Sequence, residues 1–521
     1  MDAGKEVMMA FRPISLAISA TAIFAFVPAG VGNGEEVTLS LKGGSFTIIG
    51  ELMAAPTGSF VVKSEKFGVM AVEASKFECV GTSCPHSYPA ALTIHGSNTI
   101  GAQLMPNTIE RFAEIEGYLV EKVLGSDPEE VVYKLSQKEG GSDAVSIELQ
   151  SHGSNTAPPD LLNGKAQIGE MSRPIKPEEL KAIADAGLKL STHVFALDAV
   201  VVFVSPQNSV KALSLDQIGK MFAGEIKDWS EVGRSPGKIN LYARDAKSGT
   251  YDTFDNLVLK PRHLKISAEA KRFESSPELS DETARDPNGI GFAGFAYIRN
   301  AKALAISSDC GIVSPPDVFS VKTEEYPLSR RLFLHNVDST PPIGNKLLSF
   351  ALDDQAQDTI SEAGFVNQRL DAQSFEQQTG RLAPALLVAD KDFSFSYMRE
   401  LVNGLKNAAR LSVNFRFKRN AVILDEKARQ DIPRLARFLR SDPKVTEVFL
   451  IGFADNAGTF DANRAVAFNR ANNVKSALVA EGVPANQITT RAYGSLLPVG
   501  CNSTEAGRES NRRVEVWVKS E

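Results

Sequence analysis

The sequence predicts a multidomain α/β protein, and three observations carry that expectation. The chain has 521 residues, whereas one domain usually holds roughly 100–200, so about three units are expected. Between residues 90 and 370, β-branched runs alternate with stretches of helical period, the pattern of strands and helices packed in layers. From residue 408 the strand and helix patterns follow in the order β-α-β-α-β. The hydrophobic fraction of 43% and charged fraction of 23% are those of ordinary globular protein. A formal net charge of −6 argues against a general nucleic-acid or anionic-membrane binder.

The N-terminus reads as an export signal. Lys5 and Arg12 precede an apolar run from Ile14 to Ala29, and polar residues follow from Gly32 to Glu36. A positive flank, a short apolar stretch and a small-residue exit make a secretory signal peptide, here residues 1–29. The run is short of the roughly 20 apolar residues that span a bilayer. Cys79 and Cys84 enclose a short loop and are expected to form a local disulfide, which suits an oxidising compartment. Zinc is the weaker reading, since no second close pair exists. Cys310 and Cys501 lie far apart and suit buried free thiols, and the sequence leaves their pairing state open.

Residues 37–89 read as a small β-rich module. Four runs of strand type are separated by turn residues at Gly43-Gly44 and Pro56-Thr57-Gly58. Within 90–370, AVSIEL and DAVVVFVS are strand-like, and Ser214 with Gln217 forms a capping box for LSLDQIGKMF. Residues 371–407 are more polar and read as a connector with one helix. In 408–521, SVNFRF, VTEVFLIG and NRRVEVWV are strands. Asp425 is placed to cap one helix, and AVAFNRANNVKSALVAEG makes another.

Three loops rich in small hydroxyl residues sit where a strand meets a helix. They are residues 95–101 (HGSNTIG), 152–156 (HGSNT) and 244–250 (RDAKSGT). Helix-start N–H groups and Ser or Thr hydroxyls are donors suited to anions. Arg244, four residues before Ser248, adds a planar charged fork for oxyanion oxygens. Any single loop could simply cap its helix. Three together, one with arginine, point to an anion site.

Here a resemblance enters. In order, GSNTIG, HGSNT, QIGEMSRPI, LDAVVVFVS, LSLDQIGKMFAGEIKDW, RDAKSGTYDTF, GIGFAGFAYI and YPLSRRLFL resemble the periplasmic phosphate-binding proteins of ABC transporters. Residues 90–370 would then form a two-lobed type II periplasmic-binding fold with phosphate in the cleft. The resemblance implies Thr99, the Ile100 N–H, Ser154, Arg244, Ser248, Gly249 and Thr250 as phosphate-binding residues. It also brings in Ser172, which stands where the family has an aspartate that accepts a phosphate proton, and Arg173, which either adds charge or pairs with an acid such as Glu170. Losing that aspartate weakens the case for phosphate over another oxyanion. His95 and His152 lie two residues from Ser97 and Ser154. No nucleophile elbow, zinc-protease motif or Walker loop accompanies them, so no enzyme, cofactor or metal site is expected.

The C-terminal segments IGFADNAG, NRAVAFNRANNVKSAL, GVPANQITTRAYG and PVGCNSTEAGRESNRRVEVWV are similar to OmpA-like peptidoglycan-binding domains, a compact α/β sandwich. The resemblance implies Asp455 and Arg470 as the pair that grips diaminopimelate, with Asn463 and Arg512 as further candidates. Arg508 and Asn511 lie in the same basic segment. A zwitterionic ligand end offers an ammonium for the aspartate and a carboxylate for the arginine. The plain alternative is a surface salt bridge between the two.

Together these readings imply a periplasmic protein that captures phosphate or a related oxyanion and is held to diaminopimelate-type peptidoglycan. An ABC-transporter permease and the outer membrane are left open as further associations. The alternative is a structural envelope protein whose solute-binding fold serves protein contacts.

Overall fold

A computed structural model describes residues 36–41, 46–54, 59–73, 76–81, 92–137, 145–387, 395–418 and 424–520. The expected signal peptide and Cys84 lie outside the described residues. The chain divides into two compact units, residues 1–87 and 88–521.

The first unit is an antiparallel sheet of five strands. Alternation places Val37, Leu39, Ile48 and Val62 on its buried face. Four of the strands fall where the sequence expects them. A fifth, Phe77–Val80, pairs with Glu36–Leu41. It is too short to show a clear alternation, so the sequence reading passed over it. Cys79 on this strand is disulfide-bonded.

In the second unit, one continuous sheet runs through both lobes of the binding fold. Its first lobe holds Ile168–Met171, Leu92–Gly96 and Val145–Gln150 as parallel neighbours. The hairpin Tyr118–Leu124/Glu130–Gln137 extends that edge. The second lobe holds Gly289–Gly294, Asn240–Arg244 and Lys271–Phe273. Two long antiparallel strands, Leu190–Val204 and Ser329–Val337, join the lobes. Residues 192–194 of the first lie beside the partner segment 333–335, while Val200–Val204 pair with the second lobe. Both faces are covered over most of their length, so residues 199–204 and 332–334 are buried apolar runs. Ser214 accepts from the Gln217 N–H and caps Leu215–Ala223, as its spacing predicts.

The C-terminal sheet runs in the order Ala372–Ser374, Ala409–Arg416, Arg513–Ser520, Val445–Gly452, Ile488–Ala492. Along Val445–Gly452, Val448 and Leu450 point to one face, where the helices Glu426–Ser441 and Phe460–Ala480 pack. Phe449 and Ile451 point to the other, where Met398, Leu401 and Leu405 of the helix Phe395–Leu405 cover them together with Trp517. Residues 371–407 therefore supply a strand and a covering helix to this domain, and the expected connector is structural. Polarity on its outer side hid that role from the sequence.

Cys310 and Cys501, whose pairing the sequence leaves open, are joined by a disulfide that ties the second lobe to the C-terminal domain. A separation of 191 residues says nothing about distance in a folded chain. The same interface buries a charge network. Glu515, fully buried, lies 2.5 Å from Arg381, 2.5 Å from Arg513 and 3.3 Å from Arg410. Glu325 of the binding fold also pairs with Arg410. Burial alone would raise the Glu325 carboxyl, but the surrounding arginines, Arg410 first, hold it at about 2. Such networks contribute little net stability, yet breaking one partner costs about 3–5 kcal/mol.

Candidate functional site

The three hydroxyl loops converge at the junction of the lobes. Each follows a strand and opens a short helix: Asn98–Gly101, Ala157–Leu162 and Gly249–Phe254. Close backbone approach brings them together. The Gly153 N–H donates to the Gly96 carbonyl at 2.6 Å. A side chain at Gly153 would meet the Lys247 carbonyl at 2.4 Å, and one at Gly249 would meet the hydroxyls of Ser172 and Ser154 at 2.2 and 2.4 Å. Gly153 also has φ +107°, a conformation glycine tolerates and other residues rarely adopt.

Simple capping accounts for only one loop. Ser248 accepts from the Thr250 N–H at 3.2 Å, whereas neither Ser97 nor Thr156 makes a side-chain cap bond. The other hydroxyls face one another. Thr99 Oγ1 lies 3.2 Å from Thr250 Oγ1, bridging the lobes. Ser154 Oγ lies 3.1 Å from Ser172 Oγ and accepts from the Ser172 N–H at 2.9 Å. Ser154, Ser172, Ser248 and Thr250 are all essentially fully buried.

Arg244 ends the strand that leads into the Ser248 loop and is 1% exposed. Its Nε donates to the Phe273 carbonyl at 3.2 Å and its Nη1 to Ser276 Oγ. Nη2 is buried without a hydrogen-bond partner among the described residues, 3.7 Å from Asp245. Burial lowers the Arg244 pKa, Asp245 opposes that shift, and the charge of Arg330 adds to it. Tyr297 closes the site by donating to the Thr99 carbonyl at 3.3 Å.

Two expected ligands are otherwise engaged. The Ile100 N–H donates to the Ser97 carbonyl at 3.0 Å, the first bond of its own helical turn. Arg173 donates to Asn155 and to Glu179, at 2.6–3.0 Å, and lies 3.2 Å from Asp252. Its guanidinium is consumed by these partners, and the acid it pairs with is not Glu170. Glu170 is fully buried with neither carboxyl oxygen hydrogen-bonded among the described residues, and burial raises its pKa well above the usual range. His95 bonds Asp160 and His152 bonds Glu130 rather than the nearby serines.

Sequence reasoning missed Asp198 and Arg330. Their signals were present, since an acid inside FALDAVVVFV and an arginine inside LSRRLFL interrupt buried strands. Charges there need partners, and here they are each other's, at 2.6 Å.

A second constellation lies in the C-terminal domain. Asp455 follows the strand Val445–Gly452, Arg470 is within the helix Phe460–Ala480, and Arg512 follows Glu505–Asn511. Asp455, Asn463, Arg470 and Arg512 are all buried, so this is no surface salt bridge. Asp455 Oδ1 accepts from the Ala457 N–H at 3.0 Å, and Oδ2 pairs with Arg512 at 2.7 Å. Arg512 also reaches Glu505 at 3.0 Å. The Arg470 guanidinium lies over the Phe417 ring, 5.2 Å from its centre. Burial first, then repulsion from Arg512, lower its pKa to about 10, with Asp455 opposing. The carboxylate and both guanidiniums thus share one electrostatic environment.

Known proteins give the same partition. Residues 128–355 match the PBP superfamily domain, and residues 416–512 match the OmpA family. The phosphate-binding protein PstS of Staphylococcus epidermidis is 28% identical over 216 residues, 40% of this chain and 65% of that protein. PstS of Pseudomonas aeruginosa is 28% identical over 242 residues, 43% of this chain and 74% of that protein. This chain thus spans about 65% of the length of the first of these relatives. Among solved structures, the peptidoglycan-associated lipoprotein of Burkholderia pseudomallei is 25% identical, covering 20% of this chain and 89% of that one, with a TM-score of 0.20. Residues 128–355 thus match the PBP superfamily domain in a stretch similar to phosphate-binding proteins, and residues 416–512 match the OmpA family.

Proposed function

We propose that the protein is a wall-tethered binding protein of the cell envelope. Its binding fold takes phosphate or a similar tetrahedral oxyanion, and its C-terminal domain holds diaminopimelate-type peptidoglycan. The observation that carries the reading is the convergence of the loops bearing Thr99, Ser154, Ser248 and Thr250 with Ser172, the third loop opening on a buried arginine, Arg244, whose Nη2 makes no hydrogen bond among the described residues. Hydroxyls and guanidinium N–H groups are the donors an oxyanion needs. The likeness to phosphate-binding proteins supports phosphate as the anion. At the wall site, Asp455 suits an ammonium and Arg470 a carboxylate. A permease would be a further partner for delivery.

One observation favours a structural role instead. The loop hydroxyls already bond one another, Thr99 with Thr250 and Ser154 with Ser172, so a vestigial site could persist closed. Isothermal titration of the mature chain with phosphate, then sulfate, separates the two. Heat of binding with single-site stoichiometry is expected. The absence of both heat and thermal shift with either anion would leave the structural role.

A further inference from the structure

The two strands that join the lobes carry one charged pair at their centre. In the antiparallel register Asp198 stands opposite Arg330. Alternation sends the neighbouring Arg331 to the other face, where it pairs with Glu324 and Asp425. Arg330 turns inward, 6% exposed. Its Nε and Nη2 donate to Asp198 Oδ2 at 2.9 and 2.6 Å. Asp198 Oδ1 accepts from the Phe295 N–H at 2.8 Å, so both carboxylate oxygens are committed. Gly294 makes room for the pair, since a side chain there would lie 2.9 Å from Asp198 Oδ2 and 3.2 Å from Arg330 Nη2.

Arg330 also reaches the anion loops. Nη2 donates to Thr250 Oγ1 at 2.9 Å, and Thr250 Oγ1 is the atom that meets Thr99 across the lobes. Accepting from Arg330 directs the Thr250 hydroxyl proton elsewhere, towards Thr99 or an anion beside it. The third nitrogen, Nη1, is buried and has no hydrogen-bond partner among the described residues. A buried N–H of a charged group without an acceptor is strongly unfavourable. Arg244 Nη2 also makes no hydrogen bond among the described residues, with Asp245 3.7 Å away, and the charge of Arg330 lowers the Arg244 pKa. An anion beside Thr250 would supply the acceptor that Arg330 Nη1 lacks.

We propose that Arg330 is a second arginine of the oxyanion site, donating from Nη1 to the bound anion. Asp198 is its positioning residue, and Thr250 is oriented by it. This rests on the anion-binding reading above. It adds a ligand held by the lobe-joining strands rather than by a loop, which makes closure of the lobes and completion of the donor set one event.

The test is isothermal titration of the full mature chain with phosphate and with sulfate. Arg330→Gln alone leaves Asp198 buried and unpaired and endangers folding, so the main variant is Asp198→Asn with Arg330→Gln. That double variant, folded by circular dichroism, should bind about ten- to a hundredfold more weakly, the loss of a charge-assisted hydrogen bond. Arg331→Gln should stay within about twofold of wild type, as expected for a distant, independent site. Asp198→Asn alone should weaken binding, and should have no further effect once Arg330 is Gln, because a positioning residue acts only through the group it holds. Should the double variant misfold, Arg330→Lys takes its place under the same limits. A folded variant that binds within twofold of wild type would overturn Arg330 as a ligand and leave the anion site standing. Wild-type protein that binds neither anion would remove the site itself, and this inference with it.

Discussion

The proposed anion site and the proposed wall site are both built on buried arginines, but their acids are placed differently. In the anion site Asp198 stands behind Arg330, and Asp245 is 3.7 Å from Arg244. What reaches the centre is hydroxyls and spare N–H groups. In the wall site Asp455 is itself at the centre, 2.7 Å from Arg512 and within the field of Arg470. Donors alone suit a tetrahedral anion, whereas an acid and bases together suit a zwitterion. On the proposed reading, the same residue type serves opposite ligands according to where its counter-charge is placed. Buried arginine by itself says little about a ligand.

The largest effect should come from Arg244. Truncating one side of a buried charged contact costs about 2–5 kcal/mol, so Arg244→Ala should abolish measurable phosphate binding by calorimetry. Wall binding should be untouched. If both fall together, the two sites are not separable in the way their geometry indicates.

Next is the disulfide between them. Replacing Cys310 and Cys501 by serine should lower stability by about 2–4 kcal/mol, the usual range for a native disulfide, read as a lower midpoint in thermal unfolding. Affinity for phosphate and for sacculi should be unchanged, since neither cysteine contributes to either site. A change in phosphate affinity would show that the C-terminal domain sets the lobe geometry.

A smaller loss, about 1.5–3 kcal/mol per charge-assisted contact, is expected at the wall site. In the full chain, Asp455→Ala and Arg470→Ala should each eliminate sacculus pull-down while phosphate still binds. An exposed salt bridge would contribute at most about 1 kcal/mol and neither change would matter. Pull-down by both folded variants would remove the pair from the site.

The smallest effect separates the two regions by pH. His335 lies on a lobe-joining strand, bonded to Thr192 at 3.0 Å. Burial first, then the charges of His193 and Arg173, lower its pKa to about 4, with Glu179 opposing. An unfolded histidine takes up its proton near pH 6.5, so the unfolded state binds more protons between those values. Stability should therefore be fully present above about pH 6.5 and decline as pH falls towards 4. His335→Asn should flatten that slope in thermal unfolding. Arg470, lowered only to about 10, keeps its charge throughout this window, so sacculus binding should persist across it.

Much of this was legible in the sequence because it is local. A strand followed by a hydroxyl-rich turn and a helix start is written in neighbouring residues, and all three loops stand where that pattern puts them. The capping box at Ser214 is equally local. What escaped depends on contacts remote in sequence. Asp198 and Arg330 are 132 residues apart and meet only through strand register. Cys310 and Cys501 meet only through domain packing. Arg173 was expected to add charge or to pair with an acid such as Glu170, whereas its partners, Glu179 and Asp252, come from other elements. The polar stretch 371–407 gave no hint that Met398, Leu401 and Leu405 cover the second face of the C-terminal sheet.

The central claim, that one chain carries a working anion site and a working wall site, is tested most directly by loading purified sacculi with the full mature protein. After washing, the sacculi are equilibrated with radiolabelled phosphate and collected by centrifugation. Wild-type protein should retain label in proportion to bound chain, Arg244→Ala should bind the wall and retain none, and Asp455→Ala should leave both chain and label in the supernatant. Sacculi that hold wild-type protein yet retain no phosphate would contradict the claim and leave a wall-bound structural protein in its place.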